Sequence, residues 1–121
     1  APALAMGNTV VLVPSAASPL SVTDLYQVLE TSDVPSGVVN IVTGDSAALA
    51  KTLAEHDGVD AIWFAGSAEA SAMVEKASAG NVKQTWTTRG LAYDLADRRF
   101  EGDYFLAKAT QVKNVWIPYG A

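Results

Sequence analysis

The chain has 121 residues, half of them hydrophobic and 17% charged, which places it among globular proteins with one core and excludes a disordered chain. Eight Lys and Arg against thirteen Asp and Glu give a formal net charge of −5, the wrong sign for nucleic acid or for an anionic membrane surface. Cysteine is absent and His56 is the single histidine, so disulfides, thiolate nucleophiles, zinc–thiolate sites and histidine metal clusters are excluded for this chain.

In chain order, residues 3–6 read as the last turn of a helix stopped by Gly7 at C′. So short a helix does not stand alone, and the sequence reads as a piece of a longer chain. Residues 8–13 (NTVVLV) form a buried strand that Pro14 ends. Ser21 or Thr23 caps a helix to about Thr31, with Leu25, Val28 and Leu29 inward. A turn at residues 34–37 leads to a second apolar run, residues 38–43, closed by Gly44. Helical spacing follows over residues 46–56, with Ala47, Leu49, Ala50, Leu53 and Ala54 on or near one face, and Gly58 suits a positive φ after it. Residues 61–65 are a third strand closed by Gly66. Ser67 caps a helix to about Ser78 with Ala70, Met73, Val74 and Ala77 on one face, and residues 79–81 end it. Residues 82–87 (VKQTWT) alternate and predict a strand nearer an edge.

Apolar runs without alternation predict strands buried on both faces, hence an α/β fold: a Rossmann-like layer with a mainly parallel sheet of four strands and helices above and below. After Gly90 the pattern changes. Residues 91–101 are irregular and carry Asp94, Asp97, Arg98, Arg99 and Glu101; Asp103 caps a short helix over residues 104–109; residues 111–117 (QVKNVWI) predict a terminal strand ended by Pro118. No apolar run reaches the roughly 18 residues of a membrane span, and no signal-peptide pattern is present, so the expected setting is cytoplasmic.

Gly66-Ser67 is the one pair suited to a phosphate, at a strand end before a helix; the same pair equally ends a strand and caps a helix. His56, at a helix C-terminus where its charged form meets the negative end of the dipole, reads as structural. Trp63, Trp86 and Trp116 read as core or interface residues.

Three blocks, PALAMGNTVVLVPSAASPLS, GVVNIVTG and VDAIWFAGS, resemble in order and spacing the cofactor-binding domain of the aldehyde dehydrogenase superfamily. ATQVKNVWIP resembles that superfamily's C-terminal oligomerisation strand. The direct step from NVKQTWTTRG to this ending resembles the degenerate C-terminal module of family-16 aldehyde dehydrogenases, which lacks a catalytic domain. The resemblance implies a Rossmann-like domain over residues 1–90 and, over residues 91–121, a linker, short helix and interaction strand. It also implies where chemistry is missing. The lysine and glutamate that hold the adenosine ribose are Val13 and Ala16 here. Two glycines of the adenine-side loop are Ser46 and Ala50, a third beyond Gly66-Ser67 is Ser71, and the general-base glutamate aligns with Thr88.

The expectation is therefore a non-catalytic module with a structural and oligomerisation role in a larger aldehyde dehydrogenase. Catalytic and metal residues are none, and Gly66 and Ser67 are a degenerate cofactor-binding remnant. No cofactor is expected for this chain, NAD belonging to the parent family. The interface residues are Val112, Val115, Trp116 and Ile117, facing another copy or the remainder of the parent chain, with no nucleic acid and no membrane as partner. The alternative is the NAD-binding fragment of an active NAD(P)-dependent aldehyde dehydrogenase, which oxidises an aldehyde to an acid.

Overall fold

The computed structural model describes residues 1–94, 96–112 and 114–120, with Arg99 described by its backbone alone. The order is α1 (Pro2–Ala5), β1 (Val10–Leu12), α2 (Leu20–Glu30), β2 (Val39–Ile41), α3 (Ser46–Glu55), β3 (Ala61–Phe64), α4 (Ala68–Ser78), β4 (Gln84–Thr87) and α5 (Asp103–Lys108), with 3-10 turns at Ala79–Asn81 and Arg98–Phe100. Both strand pairs are parallel, as the apolar runs predict: β1 beside β2, with Val10 opposite Val39, and β3 beside β4, with Trp63 opposite Trp86.

The four strands form two separate two-stranded sheets, which corrects the expected continuous layer. Strands of three or four residues offer few ladder bonds, and a sheet of such strands is held together by the helices packed on it. That clamp exists on β3, and among the described residues no helix packs broadly on β1 or β2. The core consists of Ala50 and Ala54 of α3, Ile62 of β3 and Val74 of α4, ringed by Leu53, Phe64, Met73 and Ala77. The alanines let the two helices approach each other closely over Ile62. On α2, by contrast, no residue is buried; Leu25 and Val28 face solvent and Leu29 is half-buried, against the expected inward stripe. Val11 is likewise exposed, so β1 is open on one face and not covered on two.

Local signals translate unevenly. Gly7 adopts φ +81° and ends α1, with its N–H and that of Asn8 donating to Leu4 and Ala3 carbonyls at 3.0 Å. Asp45 and Ser67 cap α3 and α4, accepting from Ala48 N at 2.8 Å and Ala70 N at 3.2 Å. Neither Ser21 nor Thr23 caps α2: Pro19 occupies the N-cap, and both hydroxyls donate to carbonyls three residues back. Gly58 does not take a positive φ, because the chain leaves α3 through an extended His56. Gly102, not Asp103, is the N-cap of α5.

The expected terminal strand over residues 111–117 does not form among its described residues, and Lys113 lies outside them. A strand exists only against a partner strand, and among the described residues none pairs with this tail. Val112, Val115, Trp116 and Ile117 are exposed. The Asn8 side-chain amide donates to the carbonyls of Ala3 and Ala109 at 3.0 and 2.9 Å and so fastens the end of α5 to α1. Among the described residues no helix is long and apolar enough to cross a membrane.

Candidate functional site

Parallel strands deliver their C-terminal ends to one side, and here that side holds the turn from β3 into α4 and the exit of β4. Gly66 sits at the turn. A side chain there would bring a Cβ within 2.5 Å of the Phe64 ring, so glycine is needed for the ring to fold over the strand end. The turn is fastened from β4: the Thr88 N–H donates to Phe64 O at 3.0 Å and the Gly90 N–H to Gly66 O at 2.8 Å. The buried Thr88 hydroxyl accepts from Gly66 N at 3.1 Å and donates to Gly66 O at 3.2 Å. Thr88, which the resemblance aligns with the family's general-base glutamate, thus has its hydroxyl engaged inside the fold as donor and acceptor.

Ser67 and the first turn of α4 are also engaged. Ser67 Oγ accepts from Ala70 N, and Ser67 O accepts from Ser71 N at 2.9 Å. Glu69 lies in the same turn. Hydrogen bonds from its own backbone N–H and then from the Ser67 side chain hold its carboxyl below the ordinary carboxylate range. The positive end of α4 therefore already faces an anion. Sequence reasoning named Gly66 and Ser67 and missed Glu69, although an acidic residue two places after an N-cap serine is a readable signal.

Ser71 is fully buried and its Oγ accepts from Arg89 N at 3.2 Å, steadying a residue that has φ +50°. The Arg89 guanidinium meets Glu75 through Nε–Oε1 at 3.0 Å and Nη2–Oε2 at 2.9 Å, while Thr87 Oγ1 donates to Glu75 Oε1 at 2.6 Å. These donors, Arg89 first and Thr87 second, lower the Glu75 pKa, and Glu75 raises that of Arg89. The network ties α4 to the exit of β4. It is a brace between the helix and the strand exit.

At the opposite end of the layer, Lys83 is buried and its ammonium donates to Leu53 O at 2.7 Å and His56 O at 2.8 Å. Burial pushes its pKa down, with Asp57 and Asp60 opposing. Lys83 thus supplies the positive charge at the C-terminus of α3 that was expected of His56. The His56 ring instead accepts from Gly58 N at Nδ1, 2.9 Å away. The Asn81 amide is satisfied at both ends when its nitrogen donates to Ser78 O at 2.8 Å and its oxygen accepts from Lys83 Nζ at 3.2 Å. Of the ribose-side positions, Val13 is half-buried and Ala16 exposed; Ser46 is half-buried and Ala50 lies in the core. Among the described residues no three His, Asp or Glu side chains cluster to hold a metal.

Beside Gly66 and Ser67 opens a cleft of about 700 Å³, lined by Trp63, Trp86, Tyr93, Phe105, Leu91 and Thr88 among others. Its walls are aromatic because Tyr93 and Phe105 lie against Trp63 and Trp86 of β3 and β4. Phe105 packs on Trp63 and Trp86 at ring-centre distances of 5.4 and 5.5 Å, and Tyr93 on Trp86 at 5.8 Å. Trp86 Nε1 donates to the Tyr104 hydroxyl at 3.0 Å. Trp86 is half-buried and Trp63 is exposed toward the cleft, so neither is a core residue; the ring cluster beyond residue 90 was not foreseen.

The sequence profile of the aldehyde dehydrogenase family matches residues 1–90. Among curated proteins the chain is 42% identical over 84 residues to a betaine aldehyde dehydrogenase of Bacillus subtilis, covering 69% of this chain and 17% of that protein. It is 40% identical over 90 residues to an NADP/NAD-dependent aldehyde dehydrogenase of Escherichia coli, covering 74% and 18%. A solved aldehyde dehydrogenase mutant of Pseudomonas syringae, complexed with NAD+ and octanal, superposes with TM-score 0.68 at 40% identity over 71% of this chain and 18% of that one. The chain spans under a fifth of the length of these relatives.

Proposed function

The chain belongs to the aldehyde dehydrogenase family, and from that premise we propose that this segment is a non-catalytic scaffold within an aldehyde dehydrogenase. Residues 1–90 supply the Rossmann-like layer; residues 91–121 carry the interface residues Val112, Val115, Trp116 and Ile117. The partner is another copy or the remainder of the parent chain. NAD is the cofactor of the parent family and is not held by this segment.

The observation that carries the reading is the state of the α4 N-terminus. A dinucleotide pyrophosphate placed there would meet the Glu69 carboxylate, and Ser67 would have to leave Ala70. Glu69 and the engaged Ser67 disfavour the group there, and the ribose-side positions Val13 and Ala16 offer no charged partner. Each missing charge-assisted hydrogen bond is worth roughly 1.5–3 kcal/mol. Two of them amount to about two to four powers of ten in affinity if additive.

Calorimetry with NAD tests this. The unaltered chain is expected to give no binding in the low-micromolar range, and Glu69→Gln combined with Val13→Lys and Ala16→Glu is expected to tighten whatever binding remains. Low-micromolar binding by the unaltered chain overturns the reading. It would favour the rival one, an NAD-binding segment of an active enzyme, for which the Gly66-Ser67 turn and the NAD+ complex of the Pseudomonas syringae relative speak.

A further inference from the structure

We propose that Asp57-Gly58 is a self-modification site: the Gly58 amide closes on the Asp57 carboxyl to a cyclic imide that reopens as isoaspartate, with His56 taking the amide proton. The site lies on the turn between α3 and β3, at the other end of β3 from Gly66-Ser67, and it is independent of the scaffold reading.

Ring closure needs a carboxyl one residue before the attacking nitrogen, a nitrogen open to approach, and a base for its proton. Asp57 is the one Asp or Asn of the chain that glycine follows. With no Cβ, Gly58 leaves its nitrogen open to the neighbouring carboxyl. Residues 56–58 are exposed, so water reaches the imide once it forms. The base is already seated. The Gly58 N–H donates to His56 Nδ1 at 2.9 Å, which puts the ring's lone pair on the amide proton. That hydrogen bond lies in the peptide plane, whereas the carboxyl carbon approaches from above it, so both act on one nitrogen. The fit requires glycine: a Cβ at position 58 would come within 3.0 Å of His56 Cε1 and 3.2 Å of Nδ1. The turn itself is held, since His56 O accepts from Val59 N at 3.2 Å and from Lys83 Nζ at 2.8 Å. Other aspartates lack this arrangement. Asp45 precedes the small Ser46, but its carboxylate caps α3 through Ala48 N at 2.8 Å.

The step balances without an oxidant or a cofactor. A bond forms between Gly58 N and Asp57 Cγ as the amide proton passes to His56 Nδ1, and a Cγ–O bond breaks. The leaving oxygen keeps the carboxyl's own proton, takes the one held by the imidazole, and departs as water. One water then adds to the imide. Attack at Cγ restores aspartate. Attack at the main-chain carbonyl of Asp57 leaves Gly58 joined through Cγ, with a methylene added to the main chain and a new α-carboxylate beside it. The insertion falls between His56 O, which Lys83 holds, and Asp60 O, which accepts from Gln84 N at 3.0 Å. It therefore lengthens the link between the end of α3 and the start of β3.

The test ages the folded 121-residue chain for weeks in neutral buffer at physiological temperature, with folding followed by circular dichroism. Isoaspartate is counted by enzymatic methyl transfer to its α-carboxylate and located by electron-transfer fragmentation of peptides. Asp57 is expected to carry most of it. His56→Phe keeps a ring without a lone pair and should slow the reaction about tenfold in the folded chain, less than an enzyme's positioned base supplies. In urea, where nothing holds the ring on Gly58, the two chains should age at similar rates. Asp57→Asn passes through the same imide with loss of ammonia, reports the rate as a mass gain, and should show the same dependence on His56. If His56→Phe does not fold, His56→Gln, which has no ring nitrogen, takes its place. Isoaspartate no more abundant at Asp57 than at Asp45 overturns the site. Equal rates for the folded His56 variant and the folded unaltered chain overturn the role of His56, and the proposal with it.

Discussion

The two strand–helix–strand halves of this chain read almost alike and fold unlike. β1–α2–β2 and β3–α4–β4 each place an apolar strand before a helix with apolar spacing, and each ends in a parallel pair. Only the second builds a core. Its helix presents Ser71, Val74 and Ser78, all buried, and α3 lies alongside with Ala50 and Ala54. The first presents Leu25, Tyr26 and Val28 to solvent, and no other helix packs broadly against α2 among the described residues. Amphipathic spacing thus shows which face could be buried. Burial itself depends on a second small-residue surface close enough to exclude water.

The largest effect that tests this contrast is a matched pair of truncations. Ile62→Ala removes a buried side chain from under both α3 and α4 and is expected to cost about 2–4 kcal/mol in urea unfolding. Leu25→Ala removes a chemically similar group from exposed α2 and is expected to cost less than about 1 kcal/mol. Equal losses would mean that α2 is covered in solution and that the two halves are alike after all. A smaller effect isolates the far end of the well-packed half. Lys83→Met keeps the apolar stem and leaves Leu53 O and His56 O without their donor, at an expected cost of about 1–3 kcal/mol. Its pH signature has a definite sign. The folded pKa of Lys83 is depressed, so the unfolded chain binds more protons between that value and the ordinary lysine value, and stability relative to the methionine variant should rise with pH across that window. A fall there would show that the ammonium is not desolvated.

What could be read beforehand divides along the same line. Gly7, Ser67 and the faces of α3 and α4 are local signals, each set by a few neighbouring residues, and they hold. The parallel pairing also holds, although burial along AIWF alternates, with Ile62 buried and Ala61 and Trp63 exposed. The inward face of α2, the joined sheet and the terminal strand each required a partner surface that spacing alone cannot supply. The site divides similarly. Ser67 was visible as a cap, but the lock of Thr88 on Gly66 joins residues 22 apart, and the grip of Lys83 on α3 joins residues 27 and 30 apart. The aromatics from Trp86 to Phe105 did carry a signal, five rings within twenty residues, that spacing for a helix or strand does not register.

The smallest expected effect sharpens the comparison at the brace that the first half lacks. Glu75 is a half-buried carboxylate on α4 that receives Thr87 from β4 and the Arg89 guanidinium from the turn after it. Its folded pKa lies below the ordinary glutamate value, chiefly through the Arg89 hydrogen bond. The stabilisation it brings is fully present above the ordinary value and is lost as pH falls through the depressed one. Glu75→Gln keeps the shape and removes that titration. The variant should unfold slightly more easily than the unaltered chain near neutral pH, and the difference should shrink as acid protonates Glu75. Arg89 is mostly solvent-exposed, so salt should weaken the effect as well. Urea midpoints for both chains, from pH 7 down to pH 3, read it directly. A difference that stays constant over that range would show that Glu75 acts by shape and not by charge.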